Sequence, residues 1–290
     1  MRRNATLLLL GALLALLCAG SAQAYVKFSV ENHGTTLDPA YVQKLTTIIA
    51  DIHKSFIYAL RLRATSDVHV TLKFYKDQGE YERDARATRG AEFNSVPPAF
   101  FRHSPMEIWN VDSPNPRLTW QMMLHESTHM FIHSLADKCP IWVHEGLAES
   151  FQTAELQQGR FVLLPWMERD REAKAMLAAA QLPDLGTYID QDRKTWQHKD
   201  DDKEPVRTVS WSLAWFLLSS DQGRQLLNDL IRAHQAGRRP EKSSALADRY
   251  WRGGSKALEA AWRAWIPGAR AVMAMDIPNP EEPSLTTLIR

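Results

Sequence analysis

The pentapeptide His125-Glu126-Ser127-Thr128-His129 has the residue types and spacing for metal chemistry. On an α-helix, residues four apart stand one above the other about 6 Å along the axis, so His125 and His129 can offer two imidazole nitrogens to one ion. Glu126 lies about 100° round the same helix. Its carboxylate then sits beside the ion, where it can take the proton of a metal-activated water. A catalytic zinc ion takes three protein ligands and leaves a fourth position open, so the third must come from another segment. Glu145 is the best candidate: a helix starting near Pro140 carries it back across the first, with fifteen residues between it and His129. Glu149, one turn further on, can accept a hydrogen bond from the free ring nitrogen of a ligand histidine and so fix its tautomer.

The other histidines near the motif fit less well. His133 continues the one-turn spacing but lies about 12 Å along the axis from His125, too far for both to reach one ion at zinc–nitrogen distances of about 2 Å. It reads as a supporting or core residue. His144 points about 100° away from Glu145 and reads as structural or surface. His53 and His69 read as scaffold residues.

With Pro140, Trp142, Glu145, Gly146, Leu147, Ala148 and Glu149 in order after the His125–His129 motif, the chain resembles the gluzincin metallopeptidases, and within them the peptidase-MA-like group of bacterial proteins. The resemblance covers roughly residues 26 to 266. It implies zinc held by His125, His129 and Glu145, Glu126 as the base, and a peptide or protein substrate. The gap before Glu145 is shorter than in the best-studied gluzincins, and the tyrosine that many relatives place opposite the metal has no evident counterpart. Arg207, Tyr188 and His198 compete for the role of oxyanion stabiliser, a role worth about 3 kcal/mol elsewhere. The competing reading is an exported binding or scaffold protein that keeps the zincin shape without turnover.

The elements that must position these residues follow from periodicity. Leu118 to Leu135 is apolar on most faces, so the metal helix, from about Arg117, is a buried one, and buried His and Glu need partners. Upstream, Tyr25 to Val30 reads as a strand, and Asp38-Pro39 opens a helix with an apolar stripe through Val42, Leu45, Ile49, Ile52, Phe56 and Leu60. Val68 to Tyr75 alternates like a strand buried on one face. Residues 77 to 89 read as a helix, and Ala99 to His103 and Met106 to Val111 as strands. By analogy with zincins, Glu107 to Val111 is expected to lie along the cleft and pair with extended substrate. Beyond Phe151 the chain reads as mostly helical, with a strand at Arg160 to Leu164, a helix over Glu168 to Ala180, and a buried helix over Val206 to Ser219. Asp190 to Pro205, rich in both charge signs, reads as a solvated loop.

Met1-Arg2-Arg3-Asn4, the apolar run Leu7 to Leu17 and Ala22-Gln23-Ala24 read as a secretory signal peptide over 1–24, which makes the mature chain exported and periplasmic. An apolar run of about eleven residues is too short for stable membrane insertion. Cleavage removes Cys18, leaving Cys139 without a disulfide partner. It also takes 35 basic residues to 33 against 34 acidic ones, a formal net charge of −1. That balance argues against a nucleic-acid partner. Together these readings give an α+β, zincin-like domain over 25–266, with a sheet-containing half to residue 135, a helical half from 136, and a Pro-containing, irregular extension over 267–290.

Overall fold

The computed structural model describes residues 26–275 apart from 36–37, 64–66, 90–94, 114, 158–159, 199–202, 236–237 and 239–240. Residues 1–24, expected to be a signal peptide, with their junction at Tyr25, residues 276–290 and the 199–202 part of the charged run lie outside the described residues, as does the side chain of His198.

The first half is a four-stranded mixed sheet with helices on both faces. Strands β1 (Val26–His33), β2 (Val68–Tyr75) and β4 (Met106–Val111) run parallel, while β3 (Ala99–His103) pairs antiparallel to β4. Helix α1 (Pro39–Ala59) starts where the Asp38 side chain accepts from the Ala40 N–H and Pro39 takes the first turn. It lays Leu45, Ile49, Ile52 and Phe56 on the face of the sheet that carries Val70, Leu72, Phe74 and Ile108. The opposite face carries Tyr75, Phe100, Trp109 and Val111, covered by Tyr81 and Ala85 of α2 (Gln78–Arg89). On β2 the first face is apolar throughout, whereas the second carries His69, Thr71 and Lys73 and is apolar only at Tyr75.

Helix α3 (Pro116–Leu135) carries the pentapeptide and packs against β3, β4 and α4 (Ile141–Phe151). A hairpin follows, β5 (Ala154–Gln157) and β6 (Arg160–Leu163), then α5 (Met167–Ala178), α6 (Leu185–Ile189), α7 (Arg193–His198), α8 (Lys203–Leu218), α9 (Asp221–Ala233), α10 (Ser243–Tyr250) and α11 (Gly254–Trp265). Helix α8 is the centre of this half, with Trp211, Leu213, Ala214, Leu217 and Leu218 fully buried. Helices α4 and α8 cross where Gly146 meets the Ser210 carbonyl, an approach that leaves no room for a Cβ. Among the described residues no helix is long and apolar enough to cross a membrane.

The architecture is α+β with a mixed sheet, and it corrects several sequence expectations. Strand β4 lies between β2 and β3, so Glu107 to Val111 has both edges paired and cannot add a substrate strand. The free edge on that side is β3. The extension is not irregular throughout: β7 (Met273–Met275) pairs with β6 and completes a three-stranded antiparallel sheet. Just before it, buried Arg270 stands 2.7 Å from buried Asp170 of α5 and 3.5 Å from the centroid of the Trp265 ring. The 190–205 run is not a solvated loop throughout, because α7 occupies its centre and Trp196 turns into the protein. One apolar side chain in a charged stretch is enough to dock a short helix.

Candidate metal centre

Asn115 caps the N-terminus of α3 by accepting from the Arg117 N–H, and Pro116 takes the first helical position. The two residues inside the pentapeptide are polar yet buried. Ser127 and Thr128 resolve this by donating to the Met123 and Leu124 carbonyls one turn back. They can therefore face the core without further partners, while His125 and His129 face Glu145 of α4 and Glu126 faces the Phe101 main chain of β3.

The two Nε2 atoms of His125 and His129 stand 3.1 Å apart. Helix α4 brings Glu145 over them, with Oε2 at 3.8 Å from His125 Nε2 and Oε1 at 3.7 Å from His129 Nε2. Ligand atoms about 2.1 Å from a tetrahedral zinc ion lie about 3.4 Å from one another. The imidazole separation, and the approach of a different Glu145 oxygen to each imidazole, match that within about half an ångström. Glu126 joins the group, with ligand-capable atoms of His125, Glu126 and His129 all within 4.8 Å of one another. Glu145 Oε2 is buried and, among the described residues, accepts no hydrogen bond. A buried carboxylate oxygen without a partner costs several kcal/mol unless a cation answers it, so the donor set fits a divalent metal.

The electrostatics agree. Burial, the neighbouring His129 and the Arg207 charge hold His125 well below the usual imidazole range. Burial likewise lowers His129, against the pull of Glu145. Both rings are thus neutral at pH 7, the form that ligates metal. Burial and the Glu145 charge push Glu126 up to about 8, while the main chain of Phe101, Arg207 and Arg89 act the other way. A bound cation would lower it again. Phe101 sits on β3, and its carbonyl accepts from Arg89 Nη1 at 3.5 Å. The free sheet edge therefore passes directly over the Glu126 carboxyl.

The supporting residues depart from expectation. Glu149 does not touch His125; Gln152 stands between them, with Oε1 3.2 Å from His125 Nδ1 and Nε2 3.5 Å from Glu149 Oε2. Glu149 instead holds Arg169 Nε at 3.2 Å and Arg207 Nη1 at 3.5 Å. Arg207 thus reaches the site, and its buried Nε makes no hydrogen bond. Tyr188 does not present a free hydroxyl, for it lies 2.8 Å from the Val206 carbonyl and 2.6 Å from Ser210 Oγ. Its one proton goes to the carbonyl, and Ser210 supplies the other bond.

His144 is no surface residue: it is buried with its ring 5.6 Å from that of His129. His133 packs near His103 and Phe101, away from the cluster. Gln152 and Arg169 are the residues that sequence reasoning passed over. Gln152 had a signal, since Glu145, Glu149 and Gln152 recur at one-turn intervals along an otherwise apolar helix. Arg169, one charge among many on α5, had none.

A separate cavity of about 190 Å³ lies near the N-terminal end of α3, between Pro98, Asn110, Asp112, Thr119 and Met122. None of His125, His129 or Glu145 lines it. Comparison with protein-family models gives no match to this chain, and comparison with curated proteins gives none either.

Proposed function

We propose that the protein is an exported zinc metallopeptidase of gluzincin type, its zincin-like domain holding zinc through His125, His129 and Glu145. The observation that carries this reading is the grouping of two imidazole Nε2 atoms 3.1 Å apart with a carboxylate whose buried Oε2 has no hydrogen bond among the described residues. Zinc, when bound, supplies Lewis acidity and lowers the pKa of water to about 7.

The chain's own residues do the rest. An extended peptide pairs with β3, the outer strand among the described residues, taking the place of Glu126 and Arg89 at the Phe101 main chain and so bringing its backbone over Glu126. Glu126 accepts the proton of the attacking water and returns it to the departing amide nitrogen. Arg207, anchored by Glu149, is the described candidate that can donate to the oxyanion, since the Tyr188 hydroxyl is engaged elsewhere.

That engagement of Tyr188 also favours the second reading, a zincin-like periplasmic scaffold without turnover. Glu126→Gln separates the two, because it keeps shape while removing the base. Zinc content should stay at the wild-type level, and cleavage of a library of folded, extended and cell-wall-type peptides should fall at least about a hundredfold. Wild type and variant equally inert across the library, both zinc-loaded, would support the scaffold.

A further inference from the structure

The buried chain of side chains behind His125 ends in two arginines, and each link constrains the next. The His125 ring, Gln152, Glu149 and Arg169 are each at least nine-tenths buried, so water does not settle their hydrogen bonds. Oxygen and nitrogen of a Gln amide must be assigned from the partners. Here the partners decide. Burial pushes Glu149 up, but Arg169 Nε at 3.2 Å and Arg207 Nη1 at 3.5 Å both donate to its carboxylate and favour the charged form, which only accepts. The amide edge facing it at 3.5 Å is therefore the NH2 group, which turns the Gln152 carbonyl toward His125 Nδ1 at 3.2 Å. A carbonyl accepts, so Nδ1 carries the ring hydrogen and Nε2 keeps its lone pair. Nε2 is the atom that faces His129 and Glu145.

We infer that Gln152 is a positioning residue: it sets the tautomer and ring orientation of His125 for metal binding, and its own orientation is dictated by the Glu149–arginine anchor. The inference rests on the proposed metal site. It differs from the commoner arrangement in which a carboxylate or main-chain carbonyl accepts from the ligand histidine. The neutral amide keeps the Glu149 charge one residue away from the ring. It also makes the orientation depend on a side chain that works in only one of two flips.

The test uses the whole mature chain and zinc alone, in competition with a chelator. Gln152→Leu removes the acceptor and should weaken zinc binding 10- to 100-fold, the usual effect of losing such a support. Gln152→Glu combined with Glu149→Gln keeps an acceptor opposite Nδ1 without setting two buried carboxylates 3.5 Å apart, and should restore zinc binding relative to Gln152→Leu. A purely structural role would harm both variants alike, so equal weakening overturns the inference. Unchanged affinity in Gln152→Leu overturns it too. A second readout needs neither variant nor metal: long-range proton–nitrogen correlation in the metal-free wild type should show His125 as the Nδ1–H tautomer. An Nε2–H ring, or a mixture, overturns the inference. Wild type that takes up no zinc while showing the Nδ1–H tautomer would sink the metal site, and with it the proposed function, but not the amide relay itself.

Discussion

Replacing Gly146 with alanine probes the helix crossing that carries Glu145. A Cβ there would lie 2.4 Å from the Ser210 carbonyl oxygen and 2.8 Å from the Cβ of Ala214. Ordinary carbon contacts are about 3.5 to 4.0 Å. Neither neighbour can step aside, because one is main chain and the other is a Cβ fixed to it. Helices α4 and α8 must therefore part by about 1 Å, in a region where Trp211, Leu213, Ala214 and Leu147 are wholly buried. Overpacking a tight core costs about 1–3 kcal/mol. With main chain as the obstacle, the upper half of that range, about 2–3 kcal/mol, is expected. At about 2–4 °C per kcal/mol for a chain of this size, the metal-free protein should melt roughly 4–12 °C lower. The shift also moves Glu145, the preceding residue, by several times the ~0.2 Å tolerance of a metal–ligand distance. Zinc affinity should fall with it, by about tenfold or more. Thermal melts without metal and chelator competition read the two effects separately. A Gly146→Ala protein that melts within about 1 °C of wild type and holds zinc equally well would refute the reasoning.

Other tests address single groups. Glu145→Ala should lower zinc stoichiometry well below one per chain, because three protein ligands are usual for such a site; full retention would move the third ligand elsewhere. Burial holds His53 down to about 4, so the folded protein keeps it neutral while the unfolded chain protonates it below about 6.5. The stability this contributes is complete above pH 6.5 and is lost as pH falls toward 4, about 3 kcal/mol in all. Denaturant titrations of His53→Phe should show a correspondingly flatter pH dependence between 7 and 4, and an unchanged slope would count against the assignment. Burial likewise pushes the Cys139 thiol up. It should resist thiol reagents at pH 8 in the native protein and react promptly in denaturant, and fast native labelling would show that α3 and α4 part readily.

Local signals located the elements well, and three-dimensional neighbours decided what the signals could not. Ala99–His103, Met106–Val111 and the capped start at Asp38-Pro39 were legible because alternation and cap residues act within a few positions. The place of β4 inside the sheet was not, since strand order depends on which faces of α1, α2 and α3 compete for cover. The same limit separates Glu145 from Glu149. Glu145 was expected over the two histidines from a helix starting near Pro140 and from the family resemblance, and it lies there, whereas Glu149 was assigned the contact that Gln152 makes. A carboxylate one turn along the helix is a reasonable partner for a ligand histidine until two arginines from α5 and α8 claim it. Trp196 and β7 were missed for a related reason: short segments dock through one or two contacts that leave no periodic trace.

The docking of β7 has a consequence for where this protein can be divided. A chain cut after Ile266, just past the last helix of the pattern-bearing region, would lose Arg270 and the third strand together. Buried Asp170 of α5 would keep Lys174 as its one ionic partner among the described residues, and breaking a buried pair costs about 3–5 kcal/mol. β6, now paired on both sides, would become a bare edge with Phe161 and Leu163 beside it, the kind of surface that recruits other chains. The smallest piece that keeps both sheets intact is therefore longer than the stretch that bears the candidate metal centre, and it reaches at least to Met275.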